Sequence, residues 1–266
     1  TNYFDMMNAD QYRQFRTDYR AAQGQDPLDF PDGGFDWANA VLRTGRVNQA
    51  TVSASGGSEK TTFYVGATYY NEEAFTIGNE IDRLNGRLNL SHEATDKFRV
   101  GANLGLSALD NDRINSDNST FAPLTSAYLQ TPYVQPFNDD GTYTNTGFIA
   151  NVLAIEDLSK RELISRRTTG NLYAEYDILQ DLTLRTDFGT DMIQTEETIR
   201  DPEIVSPGGY GYKRVIQDNK WLNTTTLNYD RQINEQHYLG VLLGASYETS
   251  TINRITVEGS DFVSDL

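Results

Sequence analysis

The amino-acid sequence predicts an all-β protein, an antiparallel transmembrane β-barrel with a short helical segment at its N-terminal end. Apolar and polar residues alternate with a period of two along most of the chain after residue 46, as expected for strands with two different faces. Most of the alternating runs are about a dozen residues long, whereas strands of soluble proteins usually have about five or six. The connections between the runs are alternately short and long, which is typical of outer-membrane barrels.

The composition excludes several classes of protein. The chain has 266 residues, a net charge of −16, no cysteine and a mean hydropathy of −0.57. Nucleic-acid binding needs clustered Lys and Arg side chains, so the acidic balance argues against a nucleic-acid partner. The absence of cysteine excludes disulfides, thiolate metal sites and cysteine nucleophiles. A helical membrane span needs about 20 consecutive apolar residues, and the most apolar runs, 149–155 and 239–245, are far shorter.

Residues 1–46 differ from the rest because their apolar residues recur at helical spacing. Asn8 is a suitable N-cap with Gln11 three residues later, and Gly24 offers a C-terminal stop. The residues at helical spacing between these signals are Tyr12, Phe15, Tyr19 and Ala22. The sequence therefore predicts one helix here, followed by a turn-rich stretch that leads into Asp36-Trp37.

From residue 47 the apolar period is that of a strand. In the segment 83–91, every second residue is Leu or Gly, and the residues between them are Arg, Asn or Ser. Alternation of this kind predicts about eight strands, at 47–55, 60–71, 82–93, 97–109, 166–178, 182–195, 219–232 and 236–250. Four hairpins have very short links, and long loops remain at 72–81, 110–165, 196–218 and 251–266. Because all the long loops are at one end of the strands, the pattern favours short periplasmic turns and long extracellular loops.

The two predicted faces of the sheet differ in chemistry. One face is apolar and carries Trp221 and Tyr229, whose separation along a tilted strand is roughly 20 Å, close to the ~25 Å apolar band of an outer-membrane barrel. The other face carries Arg, Asn, Asp, Glu and Thr, as a water-filled lumen allows. The candidate lumen-facing contacts to a substrate or to an internal plug are Arg87, Asn89, Arg185 and Asp187. A solvated barrel wall is the simpler interpretation of the same four residues.

No motif in the sequence indicates an enzyme, a cofactor or a metal. The two histidines, His92 and His237, lie far apart in sequence and have no nucleophile elbow to accompany them. The acidic run 110–112 is not followed by EF-hand ligand spacing. The glycine-rich run 208–211 has no Lys-Ser/Thr after it and no strand-to-helix pattern around it. We therefore expect no catalytic residue, no cofactor-binding residue and no metal ligand. The longest loop is expected to contain a short helix at 121–129.

Several segments resemble one family of membrane proteins. The stretch Ser53-Ala54-Ser55-Gly56-Gly57-Ser58-Glu59-Lys60-Thr61-Thr62-Phe63-Tyr64, preceded by Asp36-Trp37 and Arg43-Thr44-Gly45, looks like the start of the barrel in SusC/RagA-type TonB-dependent outer-membrane transporters. Further matching segments follow in order at 83–90, 100–104, 132–143, 170–176, 182–189, 223–230 and 239–248. One departure is Glu72-Glu73-Ala74, where the family often has Gln-Glu-Gly. This departure lies in a loop, so it does not affect the expected fold.

The resemblance implies a barrel of about 22 strands in the outer membrane of a Gram-negative bacterium, of which this chain would contain about eight. Residues 1–46 would be the plug-to-barrel connecting segment and residues 47–266 the N-terminal part of the barrel, as an internal fragment of a longer protein. The resemblance also implies an internal plug and a TonB-box segment, both outside this sequence. Its implied partners are TonB, outer-membrane lipid and a SusD-like surface lipoprotein, and its implied substrates are oligosaccharides (glycans) or peptides.

Two other interpretations of the alternating pattern remain open. The chain could be a complete small barrel with a structural or adhesive role, because eight is a permitted number of strands. In that case the last strand would pair with the first. A secreted carbohydrate-binding β-sandwich would instead have two packed sheets and shorter strands, and it would be soluble without detergent.

Overall fold

The computed structural model describes residues 6–116 and 118–263, which form eight long strands and four helices. The helices are α1 (Ala9–Ala22), α2 (Trp37–Val41), α3 (Pro123–Leu129) and α4 (Val152–Leu158). The strands are β1 (Arg46–Gly57), β2 (Thr61–Glu73), β3 (Glu80–Thr95), β4 (Phe98–Asp112), β5 (Lys160–Leu179), β6 (Leu182–Asp201), β7 (Tyr210–Asn234) and β8 (His237–Ser260). Within the described ranges, no helix combines the length and the apolar character that a membrane crossing requires.

All eight strands form one antiparallel sheet in the order β1 to β8, so each strand pairs with its neighbours in sequence. At the short-turn end of the sheet, the links are 58–60, 96–97, 180–181 and 235–236. At the other end, which we call the long-connection end, the links are 74–79, 113–159 and 202–209. Among the described residues β1 and β8 do not pair, and the sheet is open. The predicted partial barrel is confirmed, since the described residues form neither a closed eight-strand barrel nor a second packed sheet.

The register of the strands separates the two faces of the sheet. Val65, Leu88 and Leu104 stand opposite one another on three neighbouring strands of the apolar face. Side chains of this face are largely exposed, as the values of 60% for Leu172 and 46% for Phe188 show. Because contiguous apolar surface of this extent is rare on soluble monomers, this face requires a partner or a solvent other than water.

Most strands extend beyond their predicted ends at the long-connection end. β6 continues to Asp201, β7 begins at Tyr210 and β8 continues to Ser260. In place of the predicted loops at 72–81, 110–165, 196–218 and 251–266, the described residues outside the strands are 74–79, 113–159 (117 excepted), 202–209 and 261–263. The sequence did not reveal these extensions because both faces are largely polar there, and the period of two is lost.

The N-terminal helix has the predicted cap. The Asn8 side chain accepts a hydrogen bond from the Gln11 backbone N–H at 2.9 Å, and the Gln11 side chain accepts one from the Asn8 N–H at 2.9 Å. Two of the residues at helical spacing, Phe15 and Tyr19, are exposed. The apolar spacing therefore predicted the helix correctly but did not identify its buried side.

The buried hydrophobic residues of the described chain lie at the long-connection end, and none of them is in a strand. Trp37, Val41, Ala127 and Val152 form one cluster, which joins α2, α3 and α4. Trp37 is 2% exposed, and its Nε1–H donates to the Val134 carbonyl at 3.1 Å. We call the described residues of 6–45, 74–79, 113–159 and 202–209 the cap.

The cap contains helices that the sequence revealed only in part. The helix predicted at 121–129 is present as α3. Helices α2 and α4, with five and seven residues, were not predicted. Isolated helices of this length are unstable without tertiary contacts, so their formation depends on the packing of the cap.

Candidate functional site on the polar face of the sheet

The four residues singled out from the sequence, Arg87, Asn89, Arg185 and Asp187, all lie on the polar face. β3 carries the first two and β6 the other two, with β4 and β5 between them. Arg87 Nε donates to Asn89 Oδ1 at 3.4 Å, and Arg185 Nε donates to Asp187 Oδ2 at 2.7 Å. The structure thus joins the residues of each strand but does not bring the two pairs together.

A row of charged residues near the short-turn end holds Arg185 in place. Glu175 on β5 pairs in register with Arg99 on β4 and with Arg185 on β6. Arg99 donates to Glu175 from Nε at 2.8 Å and to Asp177 from Nη1 at 3.0 Å. Arg185 donates to Glu175 at 3.2 Å in addition to its bonds to Asp187. Since each arginine is bound by two carboxylates, these side chains form a half-buried network with charge-assisted hydrogen bonds.

Tyr173 spans this network and connects four strands. Its ring lies against Gly101 on β4, where an added Cβ would be 2.2 Å from a ring carbon. Its hydroxyl oxygen is 3.1 Å from Ser91 Oγ on β3. On the other side, the guanidinium carbon of Arg185 is 4.2 Å from the ring centroid, a cation–π contact. Only glycine at position 101 leaves room for this ring.

Arg87 and Asn89 are less constrained than the network. Arg87 is exposed, and its register partners on the neighbouring strands are Gly66 and Gly105, over which the side chains of Tyr64 and Thr169 lie. For the described residues, its one hydrogen bond is the long contact to Asn89. The Arg87 guanidinium is therefore free to change its partners.

Sequence reasoning did not single out Arg99, Glu175 and Asp177 as members of the network. The pairing of Glu175 with Arg185 could have been predicted. Counted from the predicted strand ends at 178 and 182, Glu175 and Arg185 are equally distant from the link, and residues equally distant from a hairpin turn pair with each other. In the structure the turn is 180–181, and a register shift between Asp177 and Leu179 keeps this pairing. Glu175 is therefore opposite Arg185, as the structure shows. Arg99 could not be placed in this way, because its strand is linked to β5 through the long connection 113–159.

The polar face presents charged and hydrogen-bonding side chains. The network contributes fixed hydrogen-bond donors and acceptors, with two arginines set against three carboxylates. Across the part of the chain that the structure describes, no group of three or more His, Cys, Asp or Glu side chains could hold a metal ion. The arrangement can contact a polar ligand or another protein domain.

A second group of charged residues lies at the long-connection end. Glu197 accepts a hydrogen bond from Arg113. A cavity of about 210 Å³ is lined by residues of the connection 74–79, of α4 and of the adjacent ends of β4 and β5. Glu156 of α4 lines it, and burial raises the pKa of Glu156 to about 7, an effect that Arg161 partly offsets.

Comparison with known proteins shows similarity along almost the whole chain. No protein-family model matches it. Three TonB-dependent receptors of Formosa agariphila are similar to it, namely P3 with 25% identity over 261 residues, P26 with 24% over 251 residues and P39 with 26% over 233 residues. These alignments cover 93%, 90% and 83% of this chain, but only 25%, 24% and 22% of the relatives.

Solved structures of the RagAB peptide transporter are similar to the chain in fold. One superposes with a TM-score of 0.70 at 20% identity and covers 98% of this chain and 34% of that chain. The resemblance predicted from the sequence is confirmed. The importer in its 'open-open' state superposes with a TM-score of 0.69 at 23% identity, over 98% of this chain and 30% of that chain. The chain spans about a quarter of the length of the curated relatives, and the resemblance to the SusC/RagA type extends over the cap as well as the strands.

Proposed function

We propose that this chain is part of an outer-membrane active transporter of the SusC/RagA type, which imports peptides or oligosaccharides in a TonB-dependent manner. In this proposal, TonB acts through a segment outside this sequence, and a SusD-like surface lipoprotein helps to capture the substrate. The observation that carries the proposal is the alignment, along 93% of the chain, with a protein described as a TonB-dependent receptor.

The geometry of the sheet supports a location in the outer membrane of a Gram-negative bacterium. The apolar face exposes Leu172, Phe188 and Leu243 at 60%, 46% and 63%, and lipid solvates such a face favourably. Each of β1 and β8 has one free edge in the described sheet. Because the hydrocarbon of a bilayer does not tolerate unpaired backbone groups, we propose that further strands of the whole protein complete the barrel.

We propose that Arg87, Asn89, Arg185 and Asp187 line the lumen of this barrel, where they contact a substrate or an internal plug. Arg87 is the best placed to bind a passing ligand, because it is exposed and has one long hydrogen bond. Arg185 and Asp187 are held by the network and shape the wall.

The test is uptake by the full-length protein in its natural host. Cells with and without the gene are given fluorescent peptides or oligosaccharides, and the assay is repeated in a strain without TonB. We expect uptake of one substrate class to disappear without the gene, to return with the complementing gene and to disappear without TonB. Uptake that continues without TonB contradicts the proposal, as does unchanged uptake of both substrate classes in the strain without the gene.

A pair of matched variants tests the role of the polar face. Arg87→Gln removes an exposed arginine from the polar face, and Arg231→Gln removes one from the other face. If Arg87 contacts the substrate, its variant slows uptake while Arg231→Gln does not, at equal amounts of protein in the outer membrane. If cells with either variant take up the substrate at the same rate, Arg87 is part of the solvated barrel wall and does not contact the substrate.

A further inference from the structure

The direction of β1 shows from which side the chain enters the sheet. β1 begins at Arg46, which pairs with Glu73 at the long-connection end. It ends at Gly57, beside the short turn 58–60. The residues that precede β1 therefore approach it from the long-connection end.

The segment before β1 stays at that end and folds onto the longest connection. The Phe35 N–H donates to the Pro132 carbonyl at 2.8 Å. The ring of Tyr133 contacts the rings of Tyr12 and Phe30, at centroid distances of 5.9 Å and 5.5 Å. Together with the burial of Trp37, these contacts attach both the beginning and the end of the segment to one partner.

The last residues of the segment are also tied to the connection between β2 and β3. Arg43 donates from Nε to the Ala74 carbonyl at 2.9 Å and from Nη2 to the Asn79 carbonyl at 3.0 Å. The Ile77 N–H donates to the Val41 carbonyl at 3.0 Å. The segment thus joins two connections of the same end into one folded unit.

We infer that residues 6–45 lie on the extracellular side of the outer membrane as part of the cap, and that they do not run through the lumen of the barrel. The inference rests on the proposed function, which makes the short turns periplasmic and the long connections extracellular. It gives residues 6–45 a different role from the plug-to-barrel connection that the sequence predicts for 1–46. A connection that leaves an internal plug would contact the polar face, whereas the contacts of 6–45 described above are with 74–79 and 113–159.

Single-cysteine labelling of the full-length protein tests this placement, because the chain has no cysteine of its own. Thr17→Cys and Gln25→Cys place a thiol at two exposed positions of the segment. Phe148→Cys marks the longest connection, and Gln180→Cys marks a short turn. Each variant is treated on intact cells with a maleimide that does not cross the outer membrane, and again after the outer membrane is permeabilised.

We expect both segment cysteines to be labelled on intact cells to about the same extent as Phe148→Cys. Gln180→Cys should be labelled about tenfold less until the membrane is permeabilised, because the barrel places its short turns on the periplasmic side. If both segment cysteines behave like Gln180→Cys while Phe148→Cys is labelled from outside, the inference is wrong and the proposed function stands. If Phe148→Cys itself requires permeabilisation, the orientation assumed in the proposed function is wrong.

Discussion

The apolar face of the sheet leaves its large side chains exposed, whereas the buried hydrophobic residues of the described chain all lie in the cap. Leu172 on β5 is 60% exposed, while Trp37 and Val152 in the cap are 2% and 0% exposed. The cap thus buries its apolar residues as a soluble domain does, with water as the solvent that drives burial. The apolar face of the sheet has no such core and depends on its surroundings. The difference teaches that the two regions solve the burial problem differently: the cap buries an apolar core of its own, and the apolar face of the sheet requires a partner or a solvent other than water.

The sheet compensates for the missing core with hydrogen bonds. Its strands are held by the backbone ladder of seven strand pairs, and its polar face by the network around Glu175 and Arg185. A low content of hydrophobic residues, 38% of the sequence, is therefore compatible with a membrane protein. A barrel needs an apolar residue only at every second position of a thin band.

The largest expected effect is a loss of stability in the cap that leaves the sheet unchanged. Trp37→Ala removes a buried indole from the centre of the cap, and substitutions of this kind cost about 3–5 kcal/mol. We expect hydrogen exchange in the cap to accelerate while the strands keep their protection. Phe148→Ala is the control, since Phe148 lies in the same connection and is 86% exposed. Equal acceleration in the strands would show that the cap and the sheet are one cooperative unit.

The next effect tests the solvent of the apolar face. Leu172→Arg places a charge on that face, which costs about 2–4 kcal/mol near the middle of a bilayer. Asn171→Arg is the matched control, because the adjacent residue lies on the polar face beside Asp187. We expect only Leu172→Arg to reduce the amount of folded, heat-modifiable full-length protein in the outer membrane. A similar loss for both variants would contradict the assignment of this face to lipid.

A pH change should affect the cap through Glu156. Burial raises the pKa of Glu156 to about 7, above its ordinary value of 4.5, so the folded cap favours the protonated carboxyl. The free energy of unfolding of the cap is therefore highest below about pH 4.5, where the carboxyl is protonated in both states. This stability is lost as the pH rises through about 7. We expect the cap to lose about 2 kcal/mol of stability between pH 5 and pH 8.

Hydrogen exchange at the two pH values, corrected for intrinsic rates, measures this loss. Glu156→Gln should remove most of the pH dependence, while Asp139→Asn, at an exposed position of the same connection, should leave it unchanged. If the stability of the cap still depends on pH in Glu156→Gln, another titrating group causes the dependence.

The smallest expected effect lies within the sheet. Gly101→Ala puts a methyl group where the Tyr173 ring lies, so the ring must move and its contacts to Ser91 and Arg185 are lost. We expect a cost of about 1 kcal/mol in denaturant unfolding of the detergent-solubilised full-length protein. Gly86→Ala is the control, because its new Cβ would meet nothing closer than 3.8 Å. An equal effect of both substitutions would mean that the Tyr173 contacts contribute nothing.

The sequence predicted the strands wherever one face is apolar and the other polar, as in 83–91. It did not predict their outer ends, such as 196–201 of β6, because polar residues dominate both faces there. Alternation placed Arg185 and Asp187 on the same face, and the hairpin turn could have placed Glu175 opposite Arg185. The meeting of Glu175 with Arg99 depends on a pairing across the longest connection, which no local pattern specifies.

By itself, the sequence determined the number of strands and which face of each is apolar. Both follow from the local alternation of apolar and polar residues. The alternation also restricts the register, since a slip of one residue would move every side chain of a strand to the other face. Only the tertiary structure decided that Trp37 meets Ala127 and Val152 in one core, and that the segment before β1 folds onto the connection 113–159. Such contacts join segments that are far apart in the chain. Hydrophobic burial is non-directional, so the apolar residues alone do not specify their partners. The assembled sheet selects the partners, because it brings the connections together at one end.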